Sequence, residues 1–217
     1  MLTTEHKMKK IAFTLFACAI ALCSVAQKKT IELPAPDKTL KMTLMEALQQ
    51  RHSTWTHTSK PVSDEELSTI LWAASGINRP ESGRLTAPSA INAQDIQVYV
   101  MRKEGTYLYN VKKHQLDKVN DKDLREAVCG RDAKPKTAPI MLLLVSNMDK
   151  FGNRSDEAKR TMATVDAGYV SQNICLACTA LGLNTVPRLT MDKPTLVKEL
   201  ELSDSQMPLI DHPISKP

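Results

Sequence analysis

Hydrophobic and polar positions alternate in distinct ways along this chain, and each pattern predicts an element. Lys7, Lys9 and Lys10 precede an apolar run from Ile11 to Cys23 that ends in Ser24-Val25-Ala26. A basic patch, roughly a dozen apolar residues and a small-x-small site are the three parts of a secretory signal. The run is shorter than the about 20 residues a membrane span needs. We expect residues 1–26 to be a cleaved signal peptide, the mature chain to be periplasmic or secreted, and no stable membrane insertion to follow cleavage. Residues 27–42 are polar, carry Pro34 and Pro36, and read as an extended arm. Residues 43–217 contain no repeat and no dividing linker, so they read as one domain.

Within that domain two capping boxes open helices. Thr43-Leu-Met-Glu46 begins a short helix over Leu44–Gln50, and Ser63-Asp-Glu-Glu66 begins another with Leu67, Ile70, Leu71 and Ala74 on one face. Gly76 is placed to end it as a left-handed residue. Residues 77–94 are turn-rich. Ile96–Met101 and Thr106–Val111 read as a hairpin around Lys103-Glu-Gly105. Asp121–Cys129 reads as a short helix, and the apolar run in 138–146 as a strand buried on both faces. A long helix follows from about Glu157 to Leu181, closed by Gly182, with Val165, Tyr169, Ile174, Ala177 and Leu181 on its buried side. Residues 183–189 look extended, Asp192 caps a helix through Leu200, and Met207–Ile214 is a last strand. One α+β domain accounts for these elements.

Composition removes several function classes. The 29 basic and 24 acidic residues give a net charge of +5. Removing Lys7, Lys9, Lys10 and Glu5 with residues 1–26 leaves 26 − 23, or +3. That excess is spread out, and aromatics make up only 4%, so no nucleic-acid surface is expected. The five histidines show no metal-ligand spacing, and no metal is expected. Cys129, Cys175 and Cys178 remain after the signal, an odd count that is no disulfide framework. Cys175-Leu-Ala-Cys178 has a redox spacing but falls inside the long helix, away from the helix N-terminus that lowers a thiol pKa. Ordinary packing is the favoured reading, and thiol redox chemistry the lesser one.

Two segments carry candidate chemistry. Arg51-His52-Ser53-Thr54 follows the first helix and offers a guanidinium fork, an imidazole and hydroxyls to an anion. Ala87-Pro88-Ser89-Ala90-Ile91-Asn92 is a loop of small residues in which Asn92 can both donate to and accept from a planar heterocycle. Each alone reads more readily as solvated surface or as a plain turn.

Taken in order, these segments resemble the nitroreductase-like flavoprotein family, in particular its short exported members. The resemblance runs through Leu44–Leu48, Arg51–Ser53, Leu71–Pro80, Ala87–Asn92 and Asp166–Asn173 continuing to Leu183. It implies a central, mostly antiparallel sheet flanked by helices, in an intertwined homodimer that binds flavin mononucleotide (FMN) noncovalently at its interface. Arg51, His52 and Ser53 would contact the phosphate and ribityl chain. Pro88, Ser89 and Asn92 would reach the flavin from the partner subunit. The backbone of Val186-Pro187-Arg188-Leu189 would lie along the isoalloxazine ring. Trp55 stands where many members carry a basic residue near the reduced ring, Leu189 stands where glycine is frequent, and Lys216 is the nearest C-terminal candidate for a phosphate or ring contact. The implied activity is electron transfer from NAD(P)H or another donor to a nitro, quinone or similar acceptor. The cofactor carries the chemistry, so no side chain is assigned as catalytic. The alternative is a non-catalytic relative that binds flavin or another ligand without turnover.

Overall fold

The computed structural model describes residues 30–132 and 134–217. The signal-peptide reading lies outside them, as does the start of the arm.

Both capping boxes form as the sequence requires. In helix α1 (Leu44–Gln50) the Thr43 hydroxyl accepts from the Glu46 N–H, and the Glu46 carboxylate accepts from the Thr43 N–H. Ser63 and Glu66 do the same for α2 (Asp64–Ser75). The end of α2 differs from expectation. Gly76 has φ −70°, not a left-handed value. It is needed for closeness instead, because a Cβ there would stand 2.3 Å from Trp72 Cδ1.

The chain then makes strands β1 (Thr30–Glu32), β2 (Ile77–Arg79), β3 (Arg84–Leu85), β4 (Ile96–Arg102), β5 (Gly105–Asn110), β6 (Gln115–Asn120), β7 (Ile140–Asn147), β8 (Asn184–Thr185) and β9 (Gln206–Ser215). Helices α3 (Arg125–Cys129), α4 (Asp156–Ala180) and α5 (Lys193–Glu199) complete it. Seven strands form one sheet in the order β1-β6-β5-β4-β7-β9-β8, and each neighbouring pair is antiparallel. The ladder between β7 and β9 shifts register beyond Leu144. Pro208, which has no N–H to give, lies at that irregularity, where a ladder tolerates proline.

Strand β7 explains the architecture. Ile140, Leu142 and Leu144 join one core with Leu67, Ile70 and Leu71 of α2 and Ala163, Ala167, Val170 and Ile174 of α4. Met141, Leu143 and Val145 point the other way, into a core with Val128 and Cys129 of α3 and Leu196 of α5. An unbroken apolar strand is thus buried on both faces although its sheet is antiparallel, because helices cover both sides.

Helix α4 departs from the expected face. Ile174 and Ala177 are buried, but Val165 and Tyr169 are 49% and 48% exposed. Small residues, Ala163 and Ala167, face the sheet together with the buried polar Asp166 and Ser171. Val165 and Tyr169 are left outside. Gly182, at φ +68°, does close this helix. After β7, Met148–Phe151 forms a 3-10 turn and Phe151 is fully buried.

Candidate functional site

The Arg51 segment is held against the far edge of the sheet. The Thr54 N–H donates to the Thr185 carbonyl of β8 at 3.0 Å. Asn184 Nδ2 donates to the Thr56 carbonyl at 3.2 Å, and Thr137 Oγ1 donates to the His57 carbonyl at 2.8 Å. These bonds bring Arg51–Trp55 beside the start of the Val186–Leu189 segment. Arg51 is half-buried and, among the described residues, forms no ion pair. Its charge reaches α4, where it draws the Cys175 thiol down against the larger upward push of burial. His52 and Ser53 are exposed beside it. His52 Nδ1 lies 2.8 Å from the Gln50 carbonyl, which leaves Nε2 free to face outward. Trp55 is exposed at 53%.

A buried histidine supports this edge. His212 of β9 lies with Nε2 2.8 Å from Ser171 Oγ of α4 and Nδ1 3.3 Å from Thr185 Oγ1 of β8. Complete burial pushes its pKa down to about 3, so it stays neutral and joins three elements by hydrogen bonds alone.

Arg188 turns inward. Its guanidinium meets Asp211, with Nε 2.9 Å and Nη2 2.8 Å from Oδ1, and Nη2 also donates to the Val128 carbonyl. Its backbone exchanges two hydrogen bonds with Asp211 as well, each 2.9 Å. What this segment turns outward is Pro187 and Leu189, both exposed, while Val186 is buried. Lys216 Nζ lies 3.3 Å from Glu66 Oε1, and its carbonyl accepts from Thr58 Oγ1.

The second segment stands apart. Pro88 and Asn92 are exposed, and Ser89 Oγ accepts from the Gln94 N–H at 2.9 Å. The loop is anchored to α4 through the Ala90 N–H, which donates to both Asp166 carboxylate oxygens at 3.0 and 2.9 Å. Asp166 and Cys175 are nine residues apart, so within one chain the loop and Arg51 meet α4 about 13 Å apart along its axis.

Other features are less suited to chemistry. A cleft of about 950 Å³ lies between α3, Gly130-Arg131 and the start of α5. Its carboxylates are already engaged: Asp123 with Arg125, Glu126 with Lys136, and Asp192 capping α5. A groove of about 440 Å³ runs between the arm, Trp72 and Leu176, with Lys38 4.6 Å over the Trp72 ring. Cys175 and Cys178 are free, and burial raises both thiols, so neither is a ready nucleophile. Among the described residues no His, Cys, Asp or Glu cluster could hold a metal, and no helix is long and apolar enough to cross a membrane. Sequence reasoning missed Asp95, Asp211 and His212. Their one signal is a polar residue just before β4 or within β9, and Asp211 and His212 are both buried because β9 is covered on both faces.

The comparisons with known proteins decide the family. The model of the nitroreductase family matches residues 48–210. This chain belongs to the nitroreductase family. It is 30% identical over 166 residues to a nitroreductase-like protein of Methanocaldococcus jannaschii, covering 72% of this chain and 83% of that one. A crystal structure of a nitroreductase-like protein from Ralstonia eutropha JMP134 superposes with a TM-score of 0.80 at 31% identity, covering 89% of this chain and 91% of the other. A nitroreductase family protein from Clostridium difficile 630 shares the fold at 19% identity, with a TM-score of 0.59 over 81% and 84% of the two chains. The expected fold, an antiparallel sheet between helices, is therefore the fold found, and the family is one of oxidoreductases.

Proposed function

We propose that this chain is an FMN-dependent oxidoreductase, active as a homodimer, that moves electrons from a reduced nicotinamide or another donor to a nitro, quinone or similar acceptor. The observation that carries the reading is Arg51: a half-buried guanidinium without a counter-charge among the described residues, flanked by His52 and Ser53 and tied to the Val186–Leu189 segment through Thr54. That donor set fits a phosphate monoester, which takes charge-assisted bonds from a guanidinium fork and neutral ones from imidazole and hydroxyl. Pro187 and Leu189 would flank the ring, with Arg188 and Asp211 fixing the backbone between them. When bound, the flavin supplies the two-electron chemistry.

The homodimer is supported by what the single chain leaves uncovered. Leu44, Met45 and Leu48 of α1 and Val165 and Tyr169 of the adjoining α4 are exposed apolar side chains on neighbouring elements. A surface of that kind marks an interface. The separation of the Ser89–Asn92 loop from Arg51 within one chain agrees with a second copy delivering Pro88, Ser89 and Asn92. Lys216 is held by Glu66 and would have to leave it to reach a phosphate. Export through residues 1–26 remains part of this proposal, and it places the enzyme away from cytoplasmic nicotinamides, which is why the donor class is left broad.

The purified mature chain is expected to be yellow or to become so with added FMN, to sediment as a dimer, and to be reduced anaerobically by NADH or NADPH and reoxidised by a nitroaromatic. A colourless chain that fails to take up FMN would sink the reading. A specific observation favours the second reading, binding without turnover: Trp55 and Leu189 are both exposed at the positions where the resemblance has a basic residue and glycine. Flavin uptake without reduction by any nicotinamide or dithionite-driven turnover would select it.

A further inference from the structure

Beneath the Ser89–Gln94 loop lies a pair of acids that the oxidoreductase reading does not use. Asp95 and Asp166 are 0% and 1% exposed. Asp95 Oδ2 accepts from Ser146 Oγ of β7 at 2.5 Å. Its Oδ1 is buried and meets no donor, and the hydrogen-bonding neighbour of this carboxyl is the carboxyl of Asp166. Both Asp166 oxygens accept the Ala90 N–H. Two carboxylates in contact away from water cannot both ionise. We propose that Asp95 and Asp166 share one proton, the Asp95 O–H donating to the Asp166 carboxylate, and that this acid pair is a positioning latch for the Ser89–Gln94 loop.

The loop needs a latch. Ile91, Asn92 and Gln94 have φ of 51°, 58° and 50°, a region that side-chain-bearing residues rarely adopt. Its tethers are the Ala90 N–H on Asp166, the Gln94 N–H on Ser89 Oγ, and Gln94 Nε2 on the Gly83 carbonyl at 3.0 Å. The first of these reaches the helical layer.

Protonation agrees with the geometry. Burial, aided by the Asp166 carboxyl and opposed by Ser146, pushes Asp95 up to about 7. The groups around it are Asp166 from α4, Ser146 from β7 and, across a small cavity, Ser75 of α2, whose hydroxyl has no partner. Lys112 and Lys150 line a cleft on the outer side of Asp95, both exposed, and neither is among the groups that set its protonation. A carboxyl whose folded pKa is raised binds its proton more tightly folded than unfolded. Its stabilisation is present below about pH 4 and is lost as pH rises through about 7. The latch therefore loosens above neutrality. A consequence for activity rests on the reading above, in which this loop reaches the flavin; the latch does not.

The test is hydrogen exchange of residues 89–94 in the full mature chain without added flavin, divided by intrinsic rates, from pH 6 to 8.5. Protection of the loop should fall about tenfold across the transition, the change that one unit of pKa shift conveys. In Asp95→Asn the amide can donate to Asp166 while its oxygen accepts from Ser146, so protection should stay flat. In Asp166→Ala, which removes the acceptor of the Ala90 N–H, it should be lost at every pH. Should Asp166→Ala fail to fold, the infrared difference between wild type and Asp95→Asn at pH 6, in which the contribution of Asp211 cancels, should retain the carbonyl stretch of a buried protonated carboxyl and carries the same information. A pH-independent wild-type loop, or a transition that persists in Asp95→Asn, would overturn the latch. A chain that shows the step but takes up no flavin keeps the latch and loses the oxidoreductase reading, and the converse result separates them the other way.

Discussion

Arg51 and Arg188 sit in two segments that hydrogen bonds from Thr54 and Asn184 bring side by side, yet they occupy opposite physical states. Arg188 is 4% exposed and held on both sides by Asp211 and the Val128 carbonyl. Arg51 is half-buried and meets no carboxylate among the described residues. Both fall in segments that resemble flavin-contacting stretches. A buried cation engaged by a buried carboxylate and a backbone carbonyl, with Asp132 3.6 Å from its remaining Nη1, is scaffold, whereas one held near the surface without a counter-charge is available to an outside anion. The difference teaches that a matching motif assigns the region, and that burial and partners assign the role.

The sharpest break of the comparison is Arg188→Met. It strands Asp211, 0% exposed, without its cation, and removing one partner of a buried pair costs about 3–5 kcal/mol. Burial already raises Asp211 to about 6 in the presence of Arg188, and losing that cation raises it further. A raised folded pKa favours the folded state at low pH, with the advantage lost as pH rises through that value. The denaturant midpoint of Arg188→Met should therefore fall furthest below wild type at pH 8 and recover towards it at pH 5. An equal loss at both pH values would show that Asp211 is not the stranded charge.

Arg51→Gln should do the reverse. Unfolding free energy should move by no more than about 0.5 kcal/mol, as for a surface change with no partner to strand. FMN affinity should weaken about 10–100-fold, the loss of a charge-assisted hydrogen bond. Isothermal titration and chemical unfolding of the same sample read both, and a large stability loss would place Arg51 with Arg188. A smaller effect is expected of Thr43→Ala, which removes the cap of the helix that ends at Arg51. Its cost is about 1 kcal/mol, seen as a lower unfolding midpoint. The least effect is on a neighbour: Arg51→Gln should raise the Cys175 thiol pKa, because the guanidinium lowers it. Alkylation of Cys175 followed against pH would record an upward displacement, and no displacement would place Arg51 away from α4.

Local signals were legible in the sequence and long-range ones were not. The two capping boxes set the starts of α1 and α2, since their donors and acceptors lie three residues apart. The double-faced burial of β7 followed from its unbroken apolar run. Strand β6, Gln-Leu-Asp-Lys-Val-Asn, was invisible because Leu116 is its single fully buried side chain and the polar remainder reads as loop. The face of α4 misled because the first turns of its core side are built from Ala163, Asp166 and Ala167. Val165 and Tyr169, which look like core, are left for a surface. The order of the site segments was readable as resemblance. The inward turn of Arg188 was not, since Asp211 is 23 residues away and only the bridge between the two backbones sets them face to face.

Strand β7 carries a mechanical implication. A ribbon one residue thick is the common wall of two oily compartments, with even-numbered residues 140, 142 and 144 belonging to one and odd-numbered 141, 143 and 145 to the other. Neither compartment can dissolve without exposing the wall it shares, so heat should melt both sides of the molecule together, in one step.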